Sequence, residues 1–556
     1  MRSPTSTRAS ISNRALIAMS LLLLAAHAPL ILNNGIFFDD WLLLKMRQDS
    51  VMDLDFMWHG AGHPVFYLYD SIANLTGMPI VLMQVMALVA VLLGAVSLSL
   101  AATRARLLGP MEAIAFSLIV WTYPGYQAWA VKGLAGYVFS YGLFFVGTWL
   151  LMLAFDGGGA RHVTLRIAAA LAFFLSFALN SLMMLYVFAM FGLFVAVWRA
   201  NSGEQGRIRR LALSAWRCAA GYPEFVVLPL VYWGALSIWF KRVGAYAGYY
   251  GIRLPAFADL LAGWNSFFQC GYSNSLARAA RAAMDFKPLW TAVAVLVVIT
   301  VVLARKSRRA RLSPSGIGVP LLLSVLLFSA LALPYLFAGI RPSLHFYETR
   351  HLLLFGLPGA CFVLAVKRFA ESIVGRRAAL VGVFGLASLI SVAALWNSYF
   401  FLQARVLKQE ALSSHLAAMP MPAALVFDLN DGFYDHSPQH VSFGIPEVTG
   451  MLRLAWGDHP FLGFSHQAER PTILQEIESA RNVEGSPFHS MDPSGPQATI
   501  LLEPGPEAAP NGRLVRHYYA CRLLLRCDVA SFLFQLANVK IDVGPIAGVT
   551  PLARSK

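Results

Sequence analysis

Charged residues are scarce in this chain, at 13 % of 556 residues, where a soluble protein carries about a quarter. With 57 % hydrophobic residues and a mean hydropathy of +0.59, that scarcity excludes an ordinary soluble domain and indicates a polytopic membrane protein. Cysteine is also sparse: there are 5, and no pair has zinc-type spacing. Internal repeats and low-complexity segments are missing. Acids are outnumbered, giving a formal net charge of +15. Most of the surplus Arg and Lys lies in short loops between apolar runs. That is the positive-inside signature of a membrane protein, so no nucleic-acid partner is expected.

What is present is a series of apolar runs threaded by basic loops. Arg2, Arg8 and Arg14 precede the first run, roughly Ala15 to Leu32, and place the N-terminus in the cytoplasm. Ala26-His27-Ala28 resembles a signal-peptidase site, but Pro29 disfavours cleavage and the run is kept as a span. Further runs begin near Pro79, Ala113, Gly136, Ile167, Tyr222, Leu289, Gly318, Leu352 and Ala379. The Ile167–Trp198 stretch is too long for one crossing, so a break at Asn180-Ser181 is expected, with a single tilted span as the alternative. The cluster Arg305-Lys306-Ser307-Arg308-Arg309 is the firmest cytoplasmic anchor. About 11 transmembrane helices follow, with residues 1–402 as the membrane module and 33–78 as a long first outer loop. Residues 403–556 change to Pro, Asp, Asn and Gly punctuation with strand-like runs at Ala424–Phe427 and Thr499–Leu502 and a helical pattern at Thr472–Ala480. A small C-terminal α/β domain outside the cytoplasm is expected. There Cys521 and Cys527 can form a disulfide; two free thiols are the alternative.

Two acids, Asp39 and Asp40, stand just past the first run in Gly35-Ile36-Phe37-Phe38-Asp39-Asp40-Trp41. Adjacent carboxylates at a hydrocarbon boundary are costly unless used or solvated. A helix N-cap explains one Asp, but not two. The pair can serve as a general base, or Asp40 can hold a hard divalent cation, Mg or Mn, through oxygen. The same loop carries His59, His63 and Asp70 among aromatics. A second cluster, Arg341, His345, Tyr347, Glu348 and Arg350, lies between two later spans on the same side. Outward basic residues oppose the positive-inside bias, and a phosphate clamp accounts for them because the Arg fork matches phosphate oxygens. An ion pair tying loops together is the alternative. Lys132, also outward, is a further phosphate candidate.

These features resemble the GT-C superfamily of integral-membrane glycosyltransferases. The likeness rests on Phe38-Asp39-Asp40-Trp41 after the first span, the long outer loop, the short paired helices and the outer C-terminal domain. It implies a GT-C-like fold, a polyprenyl-phosphate-linked sugar donor, an inverting transfer to a glycan, lipid or protein acceptor, and one acid of the pair as base or metal contact. The setting it implies is the outer face of a bacterial inner membrane, with the C-terminal domain in the periplasm. Many members carry Arg before Pro late in the first loop; here the pair is His63-Pro64. Other readings are a ligase or polymerase of polyprenyl-diphosphate glycans, a lipid or glycan transporter, and a non-catalytic assembly protein.

Overall fold

The computed structural model describes residues 10–33, 35–38, 40–41, 62–76, 78–155, 159–179, 181–201, 206–242, 254–285, 288–306, 314–342, 348–433, 442–457, 459–465, 495–509, 511–524 and 527–544. Each expected span has a helix at its place. In chain order these are α1 (Asn13–Ala26), α2 (Ala28–Leu32), α3 (Pro64–Leu75), α4 (Pro79–Arg104), α5 (Pro110–Trp121), α6 (Ala135–Phe155), α7 (Gly159–Ser176) and α8 (Ser181–Ala200). Then come α9 (Arg207–Gly221), α10 (Pro223–Trp239), α11 (Phe257–Phe268), α12 (Asn274–Asp285), α13 (Pro288–Lys306), α14 (Pro314–Phe337), α15 (Gly356–Val374) and α16 (Gly385–Ala418). Pro at the first helical position starts α4, α5 and α10, where its missing N–H costs nothing. α7 and α8 are two helices, as the break at Asn180-Ser181 requires, rather than one tilted span.

Among the described residues, 7 helical stretches are long and apolar enough to cross a membrane, and α1, α5 and α10 are shorter apolar helices. α13 buries none of its residues and turns Val295, Val297 and Val298 outward, as a lipid-facing helix does. The helices are fastened by a few buried polar ties. His27, between α1 and α2, sits 2.6 Å from the Tyr399 hydroxyl of α16 through Nδ1 and 2.9 Å from the Trp121 carbonyl through Nε2, which satisfies an orphan acceptor at the end of α5. At the opposite end of α5, Glu112 meets the buried Lys367 and, at 3.0 Å, Arg368 of α15, with Glu371 as second acid. Lys367→Met would leave two buried carboxylates with the more exposed Arg368 and, at 3.9 Å from Glu371, Arg376 beside them. A loss of about 3–5 kcal/mol is expected, read as a fall in melting temperature of the detergent-solubilised protein.

α16 continues through position 402 without a break. Leu395, Tyr399, Leu402 and Val406 pack in the membrane core, whereas Phe400, Ala404, Leu407, Ala411, Leu412 and Leu416 pack in or against a second core with Phe427, Val448, Met451 and Ile500. The two cores therefore share successive faces of one continuous helix. The second core covers a mixed sheet of β1 (Val426–Asp431), β2 (Leu462–Ser465), β3 (Gln497–Pro504) and β4 (Ala537–Val543), in the order β2-β1-β3-β4. β1 is parallel to β2 and β3, and β4 is antiparallel to β3. Central β1 is buried along nearly its whole length, while β4 exposes alternate residues as an edge strand does. Helix α17 (Ile445–Trp456) connects β1 to β2, and α18 (Asn511–Leu524) and α19 (Val529–Leu536) precede β4. Cys521 and Cys527 are disulfide-bonded with Cα atoms 4.8 Å apart. The helical pattern at Thr472–Ala480 lies outside the described residues.

Candidate active site

The acidic turn is built by close approach. A Cβ at Gly35 would overlap Val406 of α16, so glycine lets the chain after α2 run against that helix. Phe37 and Phe38 then turn tightly: the Asp40 amide donates to the Phe37 carbonyl at 2.9 Å and the Trp41 amide to that of Phe38 at 3.2 Å. Phe38 has φ 45°, a left-handed conformation that costs a bulky side chain on the order of 1 kcal/mol or more. Strain of this kind persists where surrounding contacts over-determine it.

Asp40 is buried, and its carboxylate points across the molecule. Oδ1 accepts from the Gly133 amide at 2.6 Å; Oδ2 accepts from Lys132 at 3.0 Å and from Phe37 at 3.1 Å. The partners at 132 and 133 belong to the interrupted stretch between α5 and α6, so simple capping of a following helix does not describe this Asp. Burial lifts its carboxyl to about 6, against the pull of Lys132 and the three amides. Three of the roughly four lone-pair sites of this carboxylate are taken by N–H donors, which leaves one, on Oδ1, for any further contact. Asp39, the other half of the pair, lies outside the described residues, as does His59.

Lys132 is placed differently from the expected phosphate contact. It is buried, Nζ donates to the Asn33 carbonyl at 3.2 Å, and it stands over the Phe37 ring at 5.5 Å. It serves as Asp40's counter-charge. Asp40 is ionised above about 6. Product formation by isolated membranes is expected to fall as the pH drops through about 6, because protonation of Asp40 releases the amides it holds; a profile flat across that range contradicts the anchoring role.

The basic residues gather elsewhere, around a cavity of about 630 Å³ between α8, α10, α14 and the segment leading into α15. His63, Lys241, Arg242, Arg350 and His351 line its polar side, with Trp233, Leu236, Phe240 and Pro334 on the apolar side. No Asp or Glu lines it among the described residues. Burial, reinforced by Arg242 and Arg350, pushes the His63 imidazole down to about 4, so at neutral pH the cavity's positive charge comes from Lys and Arg. His351 stacks edge-on against Tyr335 at 4.8 Å. Lys241 and Arg242 are not singled out by the sequence motifs above; the signal for them is a basic pair directly after the apolar run that forms α10.

Arg341 separates from Arg350: it is half exposed and pairs with Asp259 of α11 at 3.0 Å, the loop-tying alternative. His345 and Tyr347 lie outside the described residues, as does the Glu348 side chain, whose backbone begins a 3₁₀ turn, Glu348–Phe355.

The turn and the cavity are joined by the segment Tyr126–Gly133. The Gln127 amide donates to Thr349 Oγ1 at 3.0 Å, next to Arg350, and Lys132 and Gly133 hold Asp40. Six residues in a partly 3₁₀ course span on the order of 12 Å. Burial raises the Tyr126 phenol, whose charge would also feel both Asp40 and Arg350. Its hydroxyl and both ends of the Gln127 side-chain amide are buried with no hydrogen-bond partner among the described residues. Buried polar groups of this kind are unusual and call for a ligand or water.

No protein-family model matches the chain, and no curated protein matches it. Two crystal structures of ArnT from Cupriavidus metallidurans are similar at 14 % identity, covering 96 % of this chain and 98 % of theirs. The TM-score is 0.32 for the apo state and 0.33 for the one bound to undecaprenyl phosphate.

Proposed function

We propose that this protein is a membrane glycosyltransferase that moves a sugar from a polyprenyl-phosphate carrier to an acceptor hydroxyl at the outer face of the membrane. The observation that carries the reading is a carboxylate-bearing turn and a basic cavity joined by one short segment whose Tyr126 and Gln127 side chains are buried without a hydrogen-bond partner among the described residues. Lys241, Arg242 and Arg350 would hold the carrier's phosphate, and the apolar wall formed by Trp233, Leu236 and Phe240 would take the first prenyl units. The sugar would lie along Tyr126 and Gln127, whose free donors and acceptors suit a polyhydroxylated ring.

Because Asp40 is committed to three backbone amides, its role is to anchor the turn, and the base falls to its neighbour Asp39. The Asp39 carboxylate takes the acceptor's proton as the oxygen attacks the anomeric carbon. The bond to the phosphate oxygen breaks with its electron pair, and the released dianionic phosphate stays paired with the cavity's guanidinium groups. Attack opposite the leaving phosphate inverts the anomeric centre.

The test is binding of undecaprenyl monophosphate and undecaprenyl diphosphate to the purified full chain, read by native mass spectrometry. Preference for the monophosphate is expected. Preference for the diphosphate would favour a ligase or polymerase, and no binding of either would remove the donor assignment.

A further inference from the structure

The turn that carries the acids is held from both sides, and one of those sides is the C-terminal domain. Phe38 and Trp41 flank the acid pair. The Arg405 guanidinium of α16 lies over the Phe38 ring at 5.4 Å and over the Phe443 ring at 4.4 Å. Arg405 is itself fixed by a buried ion pair with Glu447 of α17 and by donation from Nη2 to the Ser442 carbonyl at 2.8 Å. Glu447 also accepts from Gln409 Nε2 at 3.0 Å and from the Gly444 amide at 2.8 Å, closing the N-terminus of α17. A Cβ at Gly444 would stand 3.5 Å from the Phe38 ring, and one at Gly450, two turns along α17, would overlap the Trp41 indole. Trp41 packs with the second core rather than the first. One short segment thus sends Asp40 to the membrane module and Trp41 to the outer domain, while Phe38 packs against the membrane core and is also met by Arg405 and Gly444.

We infer that the C-terminal domain is a positioning element for the acidic turn: α17 and Arg405 grip Phe38 and Trp41, hold Phe38 in its left-handed conformation, and so set the course of the turn. The consequence for catalysis rests on reading the turn as the acidic centre of sugar transfer; the grip itself does not. Phe38 would relax towards an ordinary backbone conformation once the grip is lost, which would rotate the residues that follow it. Arg405, Glu447 and Gly450 act through the turn and are positioning residues. A docking surface for some other protein would not need to reach the acid pair from within.

Gly450→Ala in the full-length protein tests this. Alanine favours a helix over glycine, so any loss comes from the Trp41 contact and not from a weaker α17. Amide hydrogen exchange across residues 37–41 is expected to quicken about tenfold, because a buttress on that turn has been displaced. Product in cells at matched membrane level should drop on the order of tenfold to a hundredfold, as small misplacements of reacting groups do. Affinity for undecaprenyl monophosphate should stay within about twofold, since the cavity is untouched, which gives a turnover defect without a binding defect. Adding Trp41→Phe, whose smaller ring leaves room for the new methyl, should restore both exchange and product. Should Gly450→Ala not accumulate, Phe38→Leu, which removes the ring beneath Arg405, carries the same measurements. Unchanged exchange, or faster exchange with wild-type product, overturns the inference. Faster exchange in a protein whose wild type binds no carrier and makes no glycan would sink the transferase reading and leave the grip standing.

Discussion

Asp39→Asn is expected to lower sugar transfer by roughly 10²–10⁴-fold, the usual contribution of a general base, with membrane level and melting temperature unchanged. Asp40→Asn is expected to behave in the opposite way. Its amide nitrogen would confront at least one of the backbone N–H groups now held by the carboxylate, stranding a buried donor at about 1–3 kcal/mol. The second variant should therefore melt earlier and accumulate less, with activity lost in proportion to the loosened turn. Thermal melting and product yield on the same membranes separate the two. If Asp40→Asn were stable and inactive while Asp39→Asn kept full activity, the roles assigned here would be exchanged. If both kept full activity, the acidic centre would be ruled out.

The second large effect concerns the cavity. Arg350→Ala removes a charged donor from a half-open site that no carboxylate lines among the described residues. A hydrogen bond to a charged group contributes about 1.5–3 kcal/mol, so affinity for undecaprenyl monophosphate should fall roughly 10- to 100-fold. Arg341→Ala is the internal control. Its guanidinium is paired with Asp259 at the surface, and such exposed pairs contribute little, so carrier binding should not move. Equal losses in both variants would show that the phosphate is held by the loop as a whole and not by the cavity.

Much of the architecture is legible in the sequence because it is written locally. Apolar runs bounded by Arg and Lys mark helices such as α4 and α13, and Asn180-Ser181 marks a real interruption. The strand-like runs at Ala424 and Thr499 fall within or beside β1 and β3. The site is less legible, because its decisive contacts are remote in sequence. Asp40 binds amides 92 and 93 residues away, so no local pattern tells which acid of the pair is occupied. Lys132 reads as one more outward cation until Asp40 and Asn33 close around it. Arg341 and Arg350 look equivalent in one loop, yet one meets Asp259 and the other enters the cavity. The grip on Phe38 is equally hidden, since Arg405 and Glu447 lie in what the sequence presents as a separate domain.

The account stands or falls on whether a carrier-linked sugar is consumed. The most direct measurement is mass spectrometry of polyprenyl-phosphate sugars and envelope glycans from cells with and without this protein. The account predicts that one polyprenyl-phosphate sugar accumulates in its absence while one glycan loses the corresponding residue, and that Asp39→Asn reproduces the deletion. Identical lipid-linked and surface pools in the two strains would contradict it.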